Sequence, residues 1–508
     1  MPSIRQFLTK LNTTLNSLES YLRSPLWIMV GVLLLAAMLR LHDLTLQSLW
    51  FDELMTWQRS NVATPMQVIA GAAVDVWPPG YSLFMYVVMK LIGASEFILR
   101  FPPAMGGVLS AAAIYTLGRR LAGHWAGVAS ALILTVLQAS IYYGQEARPY
   151  SGVILYTILS SYFWLRLMQS FSRNQPIRRL DAAAYIVCAF LLLYWNYMGA
   201  VMVGLQALAA GGSSLNYRML PHPRRWPPIL LIYAIIGIGY APWLGEMLHD
   251  FQQGLNFPAR MGTYGEELMA YFRFLLNLEQ KFAVGAIWLV GIAVALEVWR
   301  RFSKQGRSLL LIWLVLIGWL LLPFSLIYLR SVMGPSSLIV HRYLLISLPA
   351  ACLLIGIALT RLPIPRWCLP ALLGVMIAGL LYNLVYQHNY YAYISKVQFR
   401  QVSAYVAEHN PADSIIVGFT GYPGTDTNFN YYFEQFGLAQ RVEVQASYPS
   451  DVERLERGAE SDRPYVWLVT AMNPPGSELM GYLTSHYDLV DHQTYLKTEV
   501  WLFKKHTR

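Results

Sequence analysis

Long apolar runs separated by short arginine-bearing loops constrain this chain more than any other feature. They centre on 26–41, 99–117, 125–143, 151–169, 182–197, 199–213, 228–244, 282–299, 308–328, 343–360 and 367–386. Each meets or approaches the roughly 20 residues that an α-helix needs to cross a bilayer. Of the 508 residues, 56% are hydrophobic and 13% charged, whereas soluble domains run at roughly 25% charged. The expected fold class is a polytopic α-helical membrane protein with about 11 transmembrane helices. The net charge of +10 does not point to nucleic acid, because the basic residues sit in short clusters between apolar runs, as membrane topology requires.

With a cytoplasmic amino-terminal segment, 1–25, alternation puts Arg119–Arg120, Arg173–Arg178–Arg179, Arg218–Arg224–Arg225, Arg300–Arg301–Lys304–Arg307 and Arg361–Arg366 all on the inside. The positive-inside rule then holds at every turn. Arg5, Lys10 and Arg23 precede the first run, but the polar lead is long and no small-x-small cleavage site follows, so a retained span is expected rather than a signal peptide. Gly80 to Gly93 is too short for a span and would invert every later loop if counted. It is placed on the outer surface with Met55 to Ala73. The runs at 182–213 read as two short spans or one bent helix. Cys188, Cys352 and Cys368 lie in apolar segments without CxxC spacing, which indicates neither a disulfide framework nor a zinc site.

The membrane module is thus read as 26–386, with a first outer loop at 42–98. Beyond it, strand-like runs at Ser414–Gly418, Tyr465–Thr470 and Val500–Phe503 alternate with helical patterns at 397–408, 427–437, 450–459 and 476–486. A small extracytoplasmic α/β domain is expected at 387–508.

Three clusters of reactive side chains fall on the predicted outer face. The first loop holds Leu49-Trp50-Phe51-Asp52-Glu53-Leu54-Met55-Thr56, two adjacent carboxylates just beyond a span. They read either as solvated acids beside an interfacial tryptophan or as a general base or cation ligand at the lipid boundary. The second is Tyr142-Tyr143-Gly144-Gln145-Glu146-Ala147-Arg148-Pro149-Tyr150. Here Glu146 and Arg148 either pair with each other, or Arg148 neutralises a phosphate while Glu146 orients an acceptor or a metal. The third, His341-Arg342-Tyr343, offers another phosphate-binding arginine or a plain membrane anchor.

The order of these features with Arg40, Pro78-Pro79-x-Tyr81, Ser95-Glu96-x-x-x-Arg100 and Pro349 resembles bacterial relatives of the dolichyl-phosphate-mannose protein mannosyltransferases. These are glycosyltransferases of the GT-C fold that use polyprenyl-phosphate-sugar donors, a group that also holds the aminoarabinose transferase acting on lipid A. The likeness runs from about residue 26 to 170 and returns at 341–360. It implies that Asp52 is the catalytic carboxylate with Glu53 adjacent, and that Glu146 is a second acid on the next outer loop. Inverting transfer needs a base for the acceptor hydroxyl and cations for the departing lipid phosphate. Asp52 is the expected base. Arg148 and Arg342 are candidates for the phosphate, Tyr143 and Tyr150 for the sugar, and His341 and Tyr343 flank Arg342. A retaining mechanism with two carboxylates uses the same residue types.

Two departures stand out. Val74-Asp75-Val76-Trp77-Pro78-Pro79 lacks the lysine of the aminoarabinose branch, and Asn196 stands where the family often has histidine. The acids could ligate Mg²⁺ or Mn²⁺, but the metal stays unassigned. The expected function is sugar transfer from a polyprenyl-phosphate donor to an envelope glycan, lipid or protein at the outer face of the plasma (inner) membrane. The rival is a polytopic transporter or lipid flippase, which would place ionisable residues near mid-membrane on repeated, broken helices. A second rival is a non-enzymatic assembly or sensor protein whose carboxy-terminal domain binds a partner.

Overall fold

The computed structural model describes residues 25–506 except 74–76, 174, 215–225, 254–261, 277–279, 303–309, 335–336, 364, 366–367, 412, 423, 449–452 and 454–462. The chain forms two compact units. One comprises residues up to His42, Met66–Phe84 and Arg100–Tyr390; the other comprises Asp43–Pro65, Met85–Leu99 and Tyr391–Arg508. Residues 43–65 and 85–99, from the expected first outer loop, therefore pack with the carboxy-terminal part of the chain.

The first unit is helical. Among the described residues, six helices are long and apolar enough to cross a membrane: Glu96–Ala122, Tyr150–Phe171, Trp226–Gln252, Ile312–Met333, His341–Arg361 and Cys368–Gln387. Shorter apolar helices include Leu26–Leu41, His124–Val136, Met198–Gly211 and Val284–Leu296. The chain is an integral membrane protein. Its outer surface carries Leu34, Leu230, Leu231, Ile238, Leu314 and Val375, each more than half exposed, as expected of side chains that meet lipid.

Small residues bring central helices close. A Cβ on Gly127 would stand 2.6 Å from the Tyr115 carbonyl oxygen, and one on Gly356 would stand 2.4 Å from Ser130 Oγ. Without glycine the His124–Val136 helix could not pack on both neighbours at this distance.

Two expected spans differ in detail, and the runs at 182–213 resolve to one of the two readings left open. The run at 125–143 is not one helix: it stops at Val136, and a short helix, Gln138–Tyr142, follows. Leu137 is extended (φ −63°, ψ 126°). The freed carbonyls of Leu134 and Thr135 accept from the buried Arg40 guanidinium at 3.3 and 3.2 Å. The runs at 182–213 are two helices, Arg179–Trp195 and Met198–Ser214, broken at an extended Asn196. Asn196 Oδ1 accepts from the Met198 amide at 2.8 Å, as a helix cap does. The span at 343–360 begins as a 3-10 turn, His341–Ser347, before Leu348–Arg361.

The second unit is built on a five-stranded sheet of order β2-β1-β3-β5-β4. Its strands are β1 (Ser414–Phe419), β2 (Val444–Gln445), β3 (Tyr465–Ala471), β4 (Tyr487–Tyr495) and β5 (Thr498–Lys505). β1 pairs in parallel with β2 and β3, and β5 runs antiparallel to β3 and β4. Ile415, Val417, Val466, Leu468 and Phe503 pack with Leu479 and Leu483 of the Ser477–His486 helix. The Phe399–His409 helix is amphipathic, burying Phe399, Val402 and Val406.

The expected helix at 427–437 is a 3-10 turn, Asp426–Phe429, followed by Asn430–Gln435. The one at 450–459 falls almost wholly outside the described residues. β4 was not expected, because Tyr-Asp-Leu-Val-Asp-His-Gln-Thr-Tyr carries few apolar residues. It is an edge strand with one neighbour, and edges are kept polar.

Candidate active site

In the second unit, Asp52 and Glu53 open the short helix Phe51–Ser60. Carboxylates in a first turn oppose the positive end of the helix dipole. The two acids are used differently. Glu53 is fully buried, and its Oε2 accepts from the Trp50 amide at 3.2 Å and from Lys396 Nζ at 3.1 Å. Asp52 is half-buried, and its carbonyl accepts from Thr56 Oγ1 at 3.2 Å.

The peptide leading into this helix is tied down on several sides. Ser48 Oγ donates to the Val397 carbonyl at 2.6 Å, and the Leu49 amide donates to the Tyr432 hydroxyl at 2.6 Å. Further along, Phe51 meets Tyr422 edge-on, Trp57 meets Tyr431, and Gln58 donates to Thr427.

In the first unit, Arg40 holds the end of the His124–Val136 helix, and Gln145 Nε2 donates to the carbonyls of Arg40 and His42 at 3.2 and 2.9 Å. Tyr390 in turn donates to Gln145 Oε1 at 2.7 Å. The loop that follows is thereby fixed, and it buries Glu146 completely and Arg148 almost so. The Tyr142 hydroxyl lies against the Glu146 carboxylate.

The Arg148 guanidinium sits 5.2 Å above the Trp77 ring, a cation–π arrangement. Trp77 meets Tyr343 edge-on at 4.9 Å and Tyr150 at 5.8 Å. Tyr150 continues to Tyr143, Phe274 and His341 through ring contacts of 4.8, 5.9 and 5.6 Å. Arg342 lies 5.7 Å from the Tyr343 ring centre. The clusters at 142–150 and 341–343, far apart in sequence, thus form one aromatic and basic group. Trp77 and Tyr343 also line a cavity of about 280 Å³ with Asn196, Tyr197, Asp250 and otherwise mainly apolar side chains. Tyr197 donates to Asp250 Oδ2 at 2.8 Å.

Residues 76–238 match the family model of the dolichyl-phosphate-mannose-protein mannosyltransferases. Two crystal structures of ArnT from Cupriavidus metallidurans are similar over most of both chains. The apo structure has a TM-score of 0.59 and 14% identity, covering 94% of this chain and 97% of that one. The structure bound to undecaprenyl phosphate has a TM-score of 0.56, with the same identity and coverage. The archaeal oligosaccharyltransferase AglB from Archaeoglobus fulgidus, in complex with an inhibitory peptide and a dolichol-phosphate, has a TM-score of 0.52 and 11% identity, covering 94% of this chain and 74% of that one. Comparison with curated proteins by sequence finds no match.

The chain has the GT-C fold. The family-model match begins just before Trp77 and takes in Tyr143, Glu146, Arg148 and Tyr150. Asp52, Glu53 and the 341–343 turn lie outside it. The Asn196 side-chain oxygen accepts from the Met198 amide, and the residue borders the cavity.

Sequence reasoning singled out Arg40 and Trp77 only as members of an order of motifs. Their roles, holding a broken helix end and seating Arg148, depend on contacts that no spacing reveals. Lys396 was missed altogether, because a lone lysine after the last apolar run reads as a solvated charge. Among the described residues no three His, Cys, Asp or Glu side chains gather closely enough to hold a metal ion. Of the acids named for that role, Glu53 is paired with Lys396 and Glu146 faces Tyr142.

Proposed function

We propose that this protein is a membrane glycosyltransferase that moves a sugar from a polyprenyl-phosphate-linked donor to an envelope glycan, lipid or protein at the outer face of the plasma membrane. The observation that carries this reading is Arg148, buried and laid over Trp77, which itself lines an apolar cavity of about 280 Å³. A nearly fixed cation beside an apolar cavity suits a lipid whose polar end is a phosphate. That is also the chemistry of the ligands named in the ArnT and AglB structures.

In this reading the isoprenoid chain enters the cavity, and Arg148 stabilises the phosphate as it leaves. Guanidinium suits this because its planar fork matches phosphate oxygens. Arg342, flanked by His341 and Tyr343, gives a second cation. Tyr143 and Tyr150 present ring faces and hydroxyls to the sugar.

Asp52 accepts the proton of the acceptor hydroxyl as that oxygen attacks the anomeric carbon and the carbon–phosphate oxygen bond breaks, inverting the centre. Glu53 orients Asp52. Glu146, buried against Tyr142 in the same loop, sets the charge around Arg148.

The test is transfer in proteoliposomes with a polyprenyl-phosphate-sugar and extracted envelope acceptors, with mass spectrometry of the products. Loss of product with Asp52→Asn supports the reading. Movement of the carrier-linked sugar across the bilayer without any transfer product would favour a flippase.

A further inference from the structure

We propose that Lys396 is a positioning residue for Asp52, and that the sheet unit serves the reaction by holding the Phe51–Ser60 helix in one orientation. This rests on Asp52 being the base. Lys396 and Glu53 form an ion pair at 3.1 Å, with both side chains almost wholly buried. A buried pair of this kind contributes little net stability but fixes geometry, because each charge is costly without the other.

Two features tie this pair to Asp52. First, the carboxylate oxygen that accepts from Lys396 also accepts from the Trp50 amide, so one atom sets both the start of the helix and its rotation. Asp52 is the preceding residue, about 100° around the axis from Glu53, and it points where that rotation sends it. Second, the segment entering the helix and the segment bearing Lys396 are tied together by side-chain hydrogen bonds. Gln47 Oε1 accepts from the amides of Ser395 and Lys396 at 3.0 and 2.9 Å, and Ser48 bonds Val397. A surface carboxylate would not need a clamp on both sides of its helix start.

The prediction is tested on the full-length protein by hydrogen exchange and transfer kinetics together. Lys396→Met should lower amide protection over residues 50–56 while β1, β3 and β5 keep theirs. It should lower kcat by roughly tenfold to a hundredfold, the cost of small misplacement, and leave KM for the donor within about twofold. Lys396→Arg should recover most of both readouts. Glu53→Gln/Lys396→Met should be better protected than Lys396→Met alone, since it leaves no lone buried charge.

Where Lys396→Met does not fold, Glu53→Gln carries the test, because it keeps the cap on Trp50 and weakens only the ion pair. Wild-type protection and kcat in the folded variant would overturn the proposal. An Asp52→Asn protein that transfers at the wild-type rate would instead remove the reading of Asp52 as base, whatever the exchange data show for Lys396.

Discussion

Arg148 owes its place to shape as much as to charge. Its flat guanidinium covers Trp77, which itself stands edge-on to Tyr150 and Tyr343. Lysine keeps the charge but loses the fork and the stacking face. Arg148→Lys should therefore raise KM for the donor by about tenfold, the scale of one charge-assisted hydrogen bond, with a smaller change in kcat. Steady-state kinetics against donor concentration checks this. At this scale the sequence singled out residue types and was silent about their surroundings. Asp52 and Glu53 are neighbours of the same chemistry, yet Glu53 is fully buried against Lys396. That difference comes from a residue more than 300 positions away, and no local pattern encodes it.

Among the elements, the interrupted His124–Val136 helix has the clearest cause. Arg40 binds the carbonyls that the break releases and also Ser140 Oγ at 2.7 Å. It fits there because Gly107 has no side chain: a Cβ would stand 2.4 Å from Arg40 Nε and 2.8 Å from its Cδ. Gly107→Ala should displace Arg40 and destabilise the protein by about 1–3 kcal/mol. Thermal unfolding in detergent should register the loss, and transfer should fall with it as the 143–149 loop loses its anchor. Apolar length located this helix and its neighbours well. The break was illegible because no proline, glycine or charge marks residues 134–143, and what stops the helix is a buried guanidinium from another element.

On the whole molecule, apolar length predicted the helical runs within 26–386, and each expected run falls on helix in the described residues. β1, β3 and β5 were legible as buried apolar runs, and the two-residue β2 was not. β4 was not, since an edge strand carries no such run. At that edge, Asp491 accepts from the Tyr405 hydroxyl, which holds its carboxyl below the usual range. Its folded value being the lower one, the stability it contributes is present above its unfolded value, about 4, and is lost as pH falls through the folded value. Tyr405→Phe should therefore be less stable than wild type at pH 7, and the difference should shrink below about pH 4. Thermal unfolding at both pH values tests the sign.

The most direct test of the proposed chemistry remains Asp52. With donor and acceptor saturating, Asp52→Asn should reduce transfer by about 10²–10⁴-fold, the contribution of a general base, while the protein stays folded and still binds the carrier-linked sugar. A folded Asp52→Asn protein that forms product at the wild-type rate would contradict the account.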